Sequence, residues 1–303
     1  MAHTSALDTV TEQFNSREYH DGSLVLNRLG FQVARTLVAN ARIRRARQAR
    51  VHLPNPVRDA LERDGAVLVP DFLPEATFAA VRGEFAAARD RGLLKTQPCV
   101  EDNHILEDVV GVGKNRQTFP VTWRALQEHQ ALRELVGDLI GRTPDSVALL
   151  ISVMRQSQEP VTPARLLGTN YIHADAHFPT VKAWLYLNDV DESNGATIYA
   201  LGSHLVTMGR LAYEYDASVR VARSKANGTM RTDTPYGKVR MPTAAQLGRM
   251  GVKEVSMSGK ANTLFIANTM GFHRRGTFQP GRTRDLLAVR FGDRPGGKGG
   301  PTT

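Results

Sequence analysis

The chain has 303 residues, of which 41% are hydrophobic and 23% are charged, and both fractions are typical of a globular protein. They exclude a disordered, collagen-like or coiled-coil chain, and we expect no segment that spans a bilayer and no secretory leader. The net charge of +9, from 39 basic and 30 acidic residues, fits nucleic acid, an anionic membrane surface or an anionic small substrate as a partner. A single cysteine, Cys99, excludes a disulfide framework and favours a cytoplasmic location.

Residues 1–50 are predicted to be a basic helical appendage. Apolar residues recur at helical spacing from Ser23 onwards, and the stretch from Leu26 to Arg50 holds seven arginines and no acidic residue. Such a helix either contacts a membrane surface or a partner through residues 26–50, or packs on the main domain with its basic face in solvent, and the second interpretation is favoured. Phe31 is the only aromatic residue in the stretch, so no nucleic acid partner is expected.

Residues 51–292 are predicted to form the main domain, and its first half is mostly helical. Asn55-Pro56 and Pro74 are typical of helix starts, and Gly92 is typical of the position after a helix end. The pattern predicts helices over 57–63, 74–91 and 122–140, a strand over 66–69, and a loop-rich segment over 93–121.

The chain after Ser146 is predicted to be β-rich, because short runs of β-branched and aromatic residues alternate with turn residues. A lid-like insertion at 205–253, with nine basic and three acidic residues, interrupts the strands, and residues 293–303 are predicted to be a flexible tail. Short strands in series are typical of a sandwich or barrel, so the fold class is mainly β with flanking helices, α+β. The predicted strands cover 147–155, 169–175, 180–188, 196–200, 253–257, 262–267 and 285–291.

One pair of side chains in this region points to metal chemistry. In His173-Ala174-Asp175 the two outer residues project from the same face of an extended chain, so an imidazole and a carboxylate stand side by side. Two histidines and one carboxylate form the ligand set of non-haem Fe(II) oxygenases. The third ligand must come from elsewhere in the chain, and we choose His273, because an antiparallel jelly roll can return the chain there beside His173.

The surrounding sequence resembles the phytanoyl-CoA dioxygenase family of Fe(II)/2-oxoglutarate oxygenases. The segment from His173 to His204 carries His-x-Asp, then Ala183-Trp184, then Asn194-Gly195 and Gly-Ser-His at the distances found in that family. The segment 58–74 is similar to the family's N-terminal signature, and Arg284, eleven residues after His273, matches its closing signature. The resemblance covers roughly residues 54–292 and implies a double-stranded β-helix, that is, a cupin-like jelly roll.

The resemblance also implies Fe(II), 2-oxoglutarate and O2 as cofactor and co-substrates. Arg284 would bind the far carboxylate of 2-oxoglutarate, with Arg282 as the nearby rival, and Trp184 would line the same pocket. The family often has a small hydroxyl residue where this chain has Arg275, so either Thr277 replaces that hydroxyl or Arg275 makes a second charged contact. The remaining candidates, for substrate binding, are His177 on the face of the metal ligands and Arg220 and Arg223 in the insertion.

The resulting hypothesis is an Fe(II)/2-oxoglutarate-dependent dioxygenase. It would hydroxylate, or desaturate or cyclise, a small and anionic metabolite or natural-product intermediate. The alternative is a metal-binding β-helix module without catalysis that acts in binding or regulation. The sequence sets neither the substrate nor the oligomeric state.

Overall fold

The computed structural model describes residues 23–48, 55–99, 102–112, 115–142, 144, 149–156, 171–229 and 241–291, and the statements below refer to these residues. The predicted tail at 293–303 lies outside them, as do residues 1–22 and the segment 230–240 of the insertion. The described helices are α1 Leu24–Arg28, α2 Phe31–Gln48, α3 Pro56–Asp64, α4 Glu75–Asp90, α5 Pro120–Thr122, α6 Gln130–Ile140, α7 Met208–Ala226 and α8 Ala244–Met250. A short π-helix, Trp123–Gln127, joins α5 to α6.

Ten strands form two antiparallel sheets. The large sheet has the order β1-β8-β5-β10-β4-β3-β2, and the small sheet has the order β7-β6-β9. This architecture confirms the predicted jelly roll with flanking helices. The strands are β1 Ala66–Val69, β2 Lys95–Cys99, β3 Asp102–Gly111, β4 Leu149–Gln156, β5 Val181–Tyr186, β6 Thr197–Leu201, β7 Lys253–Ser256, β8 Leu264–Asn268, β9 His273–Arg275 and β10 Thr283–Phe291.

The large sheet separates two apolar layers. Its outer face, with Leu185 of β5 and Leu287 of β10, packs against helices α3 to α6 in the main hydrophobic core. Its inner face, with Tyr186 and Phe265, meets the small sheet in a second core that includes Tyr199. Since side chains alternate along a strand, the inner face of β5 consists of Lys182, Trp184 and Tyr186. The polar groups that enter this interior are therefore exceptions in an apolar layer.

The N-terminal segment is packed into the fold over its described part. Helices α1 and α2 both contact α7, and Ala39 and Ile43 of α2 are buried against Ala176 and Phe178. The described half of the predicted appendage therefore covers the chain that follows Asp175. No described helix is long and apolar enough to cross a membrane.

The first helix of the lid-like insertion at 205–253 is packed against the rest of the fold. Thr207 caps the first turn of α7 by accepting a hydrogen bond from the Arg210 amide, and α7 then packs Tyr213 and Ala217 against Ala174 and Phe272. These two apolar residues neighbour the predicted metal ligands Asp175 and His273 in sequence. Helix α7 thus supports the back of the small sheet.

Three predicted elements differ from the structure. The segment 93–121, predicted to be loop-rich, contains strands β2 and β3, and β3 pairs with β4 from Ile105 to Gly111. The helix predicted over 122–140 is interrupted, because the His129 side chain accepts from the Leu132 amide and starts α6. The strand predicted over 169–175 is reduced, within its described part, to a bridge between His173 and His273. In each case a long-range or capping hydrogen bond set the secondary structure, and the local sequence pattern did not contain it.

Candidate metal centre

The chain brings two histidines together at the edge of the small sheet. The amide of His173 donates to the His273 carbonyl at 2.9 Å, and the amide of His273 donates to the His173 carbonyl at 2.8 Å. The Asp175 amide donates to the Thr269 carbonyl at 2.9 Å, which fixes the next turn of chain. The result is a cluster in which ligand atoms of His173, Asp175 and His273 all lie within 4.8 Å of one another.

Both imidazoles are oriented by the backbone. Nδ1 of His173 lies 2.9 Å from the Tyr171 carbonyl oxygen, and Nδ1 of His273 lies 3.0 Å from the Gly271 carbonyl oxygen. Because a carbonyl oxygen only accepts, each Nδ1 carries a proton, and in the neutral ring Nε2 is then the nitrogen that has the lone pair. In this tautomer the Nε2 atoms are ready to bind a cation, and Nε2 of His173 lies 3.9 Å from Oδ1 of Asp175.

The carboxylate of the cluster has a cationic neighbour on the inner face of β5. The Lys182 ammonium lies 2.7 Å from Oδ2 of Asp175. Burial by itself would raise the pKa of Asp175, but the Lys182 ammonium and the electrostatic influence of the His273 and His173 rings hold that pKa well below its usual range. For His273, burial and the neighbouring His173 lower the pKa to about 3. At neutral pH Asp175 is therefore a carboxylate and His273 a neutral imidazole.

The structure separates the two arginines that compete for 2-oxoglutarate. Arg284 is 6% exposed and stands on the inner face of β10, where it donates to the Gly195 carbonyl and to the Met154 sulfur and lies over the Phe278 ring. The Arg282 side chain is 52% exposed and bonds the surface turn at Asp191. Only Arg284 therefore reaches the interior that holds the histidine and carboxylate cluster.

Comparison with known families gives a match that covers more than half of the chain. Residues 61–234 match the family model described as Phytanoyl-CoA dioxygenase. The chain belongs to the phytanoyl-CoA dioxygenase family. The matched range includes His173, Asp175 and Lys182, whereas His273 and Arg284 lie beyond its end. The chain is accordingly an oxygenase of the class that depends on iron and 2-oxoglutarate.

Solved structures confirm the fold. The epimerase SnoN, solved with Fe3+, alpha ketoglutarate and nogalamycin RO, is 17% identical, with a TM-score of 0.53 over 78% of this chain and 82% of SnoN. AviO1 from Streptomyces viridochromogenes Tue57 is 15% identical, with a TM-score of 0.50 over 83% of this chain and 100% of AviO1. A search of curated proteins found no match.

The cluster of this phytanoyl-CoA dioxygenase family member fits iron. Two imidazole nitrogens and one carboxylate oxygen form the facial set that suits Fe(II) and leaves coordination positions open. The Nδ1–H groups of both histidines are held by carbonyl oxygens, as is usual for imidazoles that bind a metal. The donor set and its orientation are therefore both present in the protein without further rearrangement of the backbone.

The other predicted site residues of the family member are distributed between the interior and the surface. Trp184 is half-buried and stacks on Phe265, with ring centroids 4.9 Å apart, on the inner face. Arg275 is buried on the same strand as His273, whereas Thr277 is exposed in the turn after β9. The structure thus brings Arg275 towards the cluster and leaves Thr277 outside it.

Three further candidates lie away from the ligand atoms. His177 is fully buried, its ring contacts Phe178 edge-on, and its carbonyl accepts from Asn40 of α2, so it belongs to the packing beneath α2. Arg220 and Arg223 are on the exposed face of α7. The described contacts of Arg220 include the Met241 carbonyl at 3.5 Å. None of the three has a described contact with the metal cluster.

Two basic residues on the inner-face positions of β5 and β10 were given no role by sequence reasoning. Lys182 contacts Asp175 directly, and Arg290 stands opposite Lys182 in the β5–β10 pair. Lys182 has the same parity as Trp184, and Arg290 has the same parity as Arg284, so the alternation along each strand was a usable signal. The contact of Lys182 with the Asp175 carboxylate depends on how the chain folds, which no local pattern contains.

Acid is expected to destabilise the protein through His204. This histidine is buried, and its Nε2 lies 3.0 Å from the Glu62 carbonyl, while Gly65 packs so closely that a Cβ there would lie 2.4 Å from His204 Nδ1. Burial lowers the pKa of His204 to about 4. In the unfolded chain His204 takes up a proton near pH 6.5, whereas in the folded chain it does so only near pH 4. The free energy of unfolding therefore decreases as the pH is lowered through this window, by about 3 kcal/mol.

Denaturant unfolding of wild type and His204→Gln at several pH values measures this effect. Glutamine can still donate to the Glu62 carbonyl, but it does not titrate. The free energy of unfolding of the wild type should drop by about 3 kcal/mol more than that of the variant between pH 7.5 and pH 4. Parallel pH profiles for the two proteins would contradict the prediction.

Proposed function

We propose that the chain is an Fe(II)/2-oxoglutarate-dependent dioxygenase that hydroxylates, or desaturates or cyclises, a small anionic metabolite or natural-product intermediate. The observation that carries the proposal is the cluster of His173, Asp175 and His273 at the rim of a largely apolar interior. SnoN, a structure of the same fold, is described as an epimerase with alpha ketoglutarate bound, so this fold accommodates outcomes other than hydroxylation.

Each residue of the interior has a defined task in this proposal. His173, Asp175 and His273 hold iron, and iron with 2-oxoglutarate and O2 supplies the oxidising chemistry. The buried Arg284 guanidinium binds the far carboxylate of 2-oxoglutarate, for which a fixed bidentate cation is well suited. The stacked rings of Trp184 and Phe265 wall the same interior and exclude water from it.

The charge distribution along the inner face supports an anionic substrate. On β10, Arg284 is buried at one end and Arg290 is exposed at the other. Lys182, which pairs with Asp175, stands opposite Arg290. In this proposal substrate enters past the exposed Arg290, whose charge favours a carboxylate or phosphate group. This location replaces Arg220 and Arg223 as the main basis for choosing an anionic substrate.

The proposal is tested by loading the protein anaerobically with Fe(II) and 2-oxoglutarate and then exposing it to air with a panel of metabolites. Release of succinate that depends on one compound identifies the substrate, and the product mass distinguishes hydroxylation from desaturation or cyclisation. Thermal shift with Mn(II) and 2-oxoglutarate reports co-substrate binding without turnover. Metal binding without a 2-oxoglutarate shift and without succinate would favour the non-catalytic module instead.

A further inference from the structure

A fully buried ion pair lies behind the metal centre. Arg210 and Glu214, one turn apart on α7, both have side chains that are 0% exposed, and Nη2 of Arg210 lies 3.1 Å from Oε1 of Glu214. The Arg210 guanidinium also lies over the Phe272 ring, 4.5 Å from its centroid. Removing two charges from water is costly, and apolar residues of similar size often stabilise a core equally well. Stability alone therefore does not explain why this ion pair is buried here.

Arg210 ties together the two chain segments that carry the metal ligands. Its Nη1 donates at 2.8 Å to the Met270 carbonyl, three residues before His273, and at 2.8 Å to the Ser203 carbonyl. Its Nη2 donates at 3.5 Å to the Ala176 carbonyl, next to Asp175. The Ser203 hydroxyl in turn accepts from the Phe272 amide at 2.7 Å. One guanidinium thus fixes the backbone on both sides of the cluster.

The N-terminal helix α2 holds the other half of the ion pair. Nε2 of Gln32 donates at 2.9 Å to Oε2 of Glu214, and Oε1 of Gln32 accepts at 2.8 Å from the buried Arg35. Farther along α2, Asn40 donates at 3.0 Å to the His177 carbonyl, two residues beyond Asp175. Helix α2 therefore contacts the ligand segment directly and through Glu214.

We propose that Arg210 is a positioning residue for the metal cluster, and that α2 keeps it in place through Gln32 and Glu214. This inference rests on the proposed ligand set of His173, Asp175 and His273. A rigid backbone on both sides of the ligands keeps their side chains within the narrow range of geometry that metal binding requires. The helical N-terminal segment then belongs to the active-site scaffold.

The test separates positioning from stability by removing the two charges together. In the double variant Arg210→Met/Glu214→Gln both charges of the pair are removed, and glutamine still accepts from Gln32. Mn(II) affinity is measured by titration followed by electron paramagnetic resonance, and ligand geometry by the visible spectrum of the Co(II) protein. We expect a folded protein with a somewhat lower thermal midpoint, because the Ser203 and Met270 carbonyls lose a donor. Mn(II) binding should weaken by about tenfold or more, and the Co(II) spectrum should change.

Matched variants complete the design. Arg249→Met, on the exposed face of α8, removes an arginine whose side chain has no described bond to Arg210 or Glu214, and it should leave both readouts unchanged. Gln32→Met/Arg35→Met removes the link from α2 to Glu214 together with the buried guanidinium that donates to Gln32. It should weaken Mn(II) binding about threefold while the fold is kept, which provides the test if the other double variant does not fold. Folded variants with wild-type Mn(II) affinity and Co(II) spectrum would overturn the inference. Mn(II) binding that is retained in the Asp175→Ala variant would overturn the ligand set itself.

Discussion

Replacing Asp175 by alanine is expected to abolish succinate formation, with a loss of about 1000-fold or more, and to weaken Mn(II) binding by at least about 100-fold. Asp175 contributes the negative charge of a cluster whose other ligand groups are imidazoles. Its pKa lies well below the usual range, so the carboxylate is charged at any working pH. In the wild type the Lys182 ammonium lies 2.7 Å from Oδ2 of Asp175. The substitution removes this carboxylate, so the lysine charge stays uncompensated beside the cluster and repels a bound cation.

Two controls make this result specific to the metal. Asp189→Ala removes an exposed aspartate that pairs with Lys260 on the surface, and it should leave both turnover and Mn(II) binding unchanged. His173→Ala should reproduce the loss seen with Asp175→Ala, because it removes another ligand of the same cluster. Undiminished turnover in either ligand variant would contradict the assignment.

Replacing Arg284 by methionine is expected to raise KM for 2-oxoglutarate by about 30-fold or more. Loss of one partner from a buried, hydrogen-bonded charge pair costs about 2–5 kcal/mol, and each 1.4 kcal/mol is a factor of ten. Arg284 lies on the inner face, over the Phe278 ring and beside the Gly195 carbonyl, so its guanidinium is already fixed in direction. Mn(II) binding without 2-oxoglutarate should be retained, because Arg284 does not belong to the ligand cluster.

Arg282→Met is the matched control for this position. Arg282 lies two residues before Arg284, just ahead of β10, but its side chain bonds Asp191 and Ser193 on the surface. We expect less than a threefold change in KM for 2-oxoglutarate in this variant. Titration of 2-oxoglutarate against the Mn(II) protein, followed by thermal shift, gives the same comparison without turnover. A larger effect at Arg282 than at Arg284 would reverse the assignment.

Much of the β-rich half could be predicted from the sequence. The ends of strands β5, β6, β8 and β10 lie within two residues of the ends of the segments predicted at 180–188, 196–200, 262–267 and 285–291. Their apolar and β-branched composition is a local property, and turn residues mark their ends. Strand β3 was missed because its sequence, Asp102–Gly111, begins with polar residues, and its pairing with β4 is a long-range contact.

The sequence by itself determined the family, the jelly roll and the candidate ligands, because His-x-Asp, the Gly-Ser-His turn and the spacing from His273 to Arg284 are readable along the chain. Only the tertiary structure decided which arginine faces the interior, because Arg282 and Arg284 have the same parity and chemistry and differ in what surrounds them. It also decided that α2 and α7 pack against the chain segments that carry His173, Asp175 and His273. Buried polar contacts such as Gln32 to Glu214 join residues 182 positions apart, and their strength comes from burial that the folded chain alone creates.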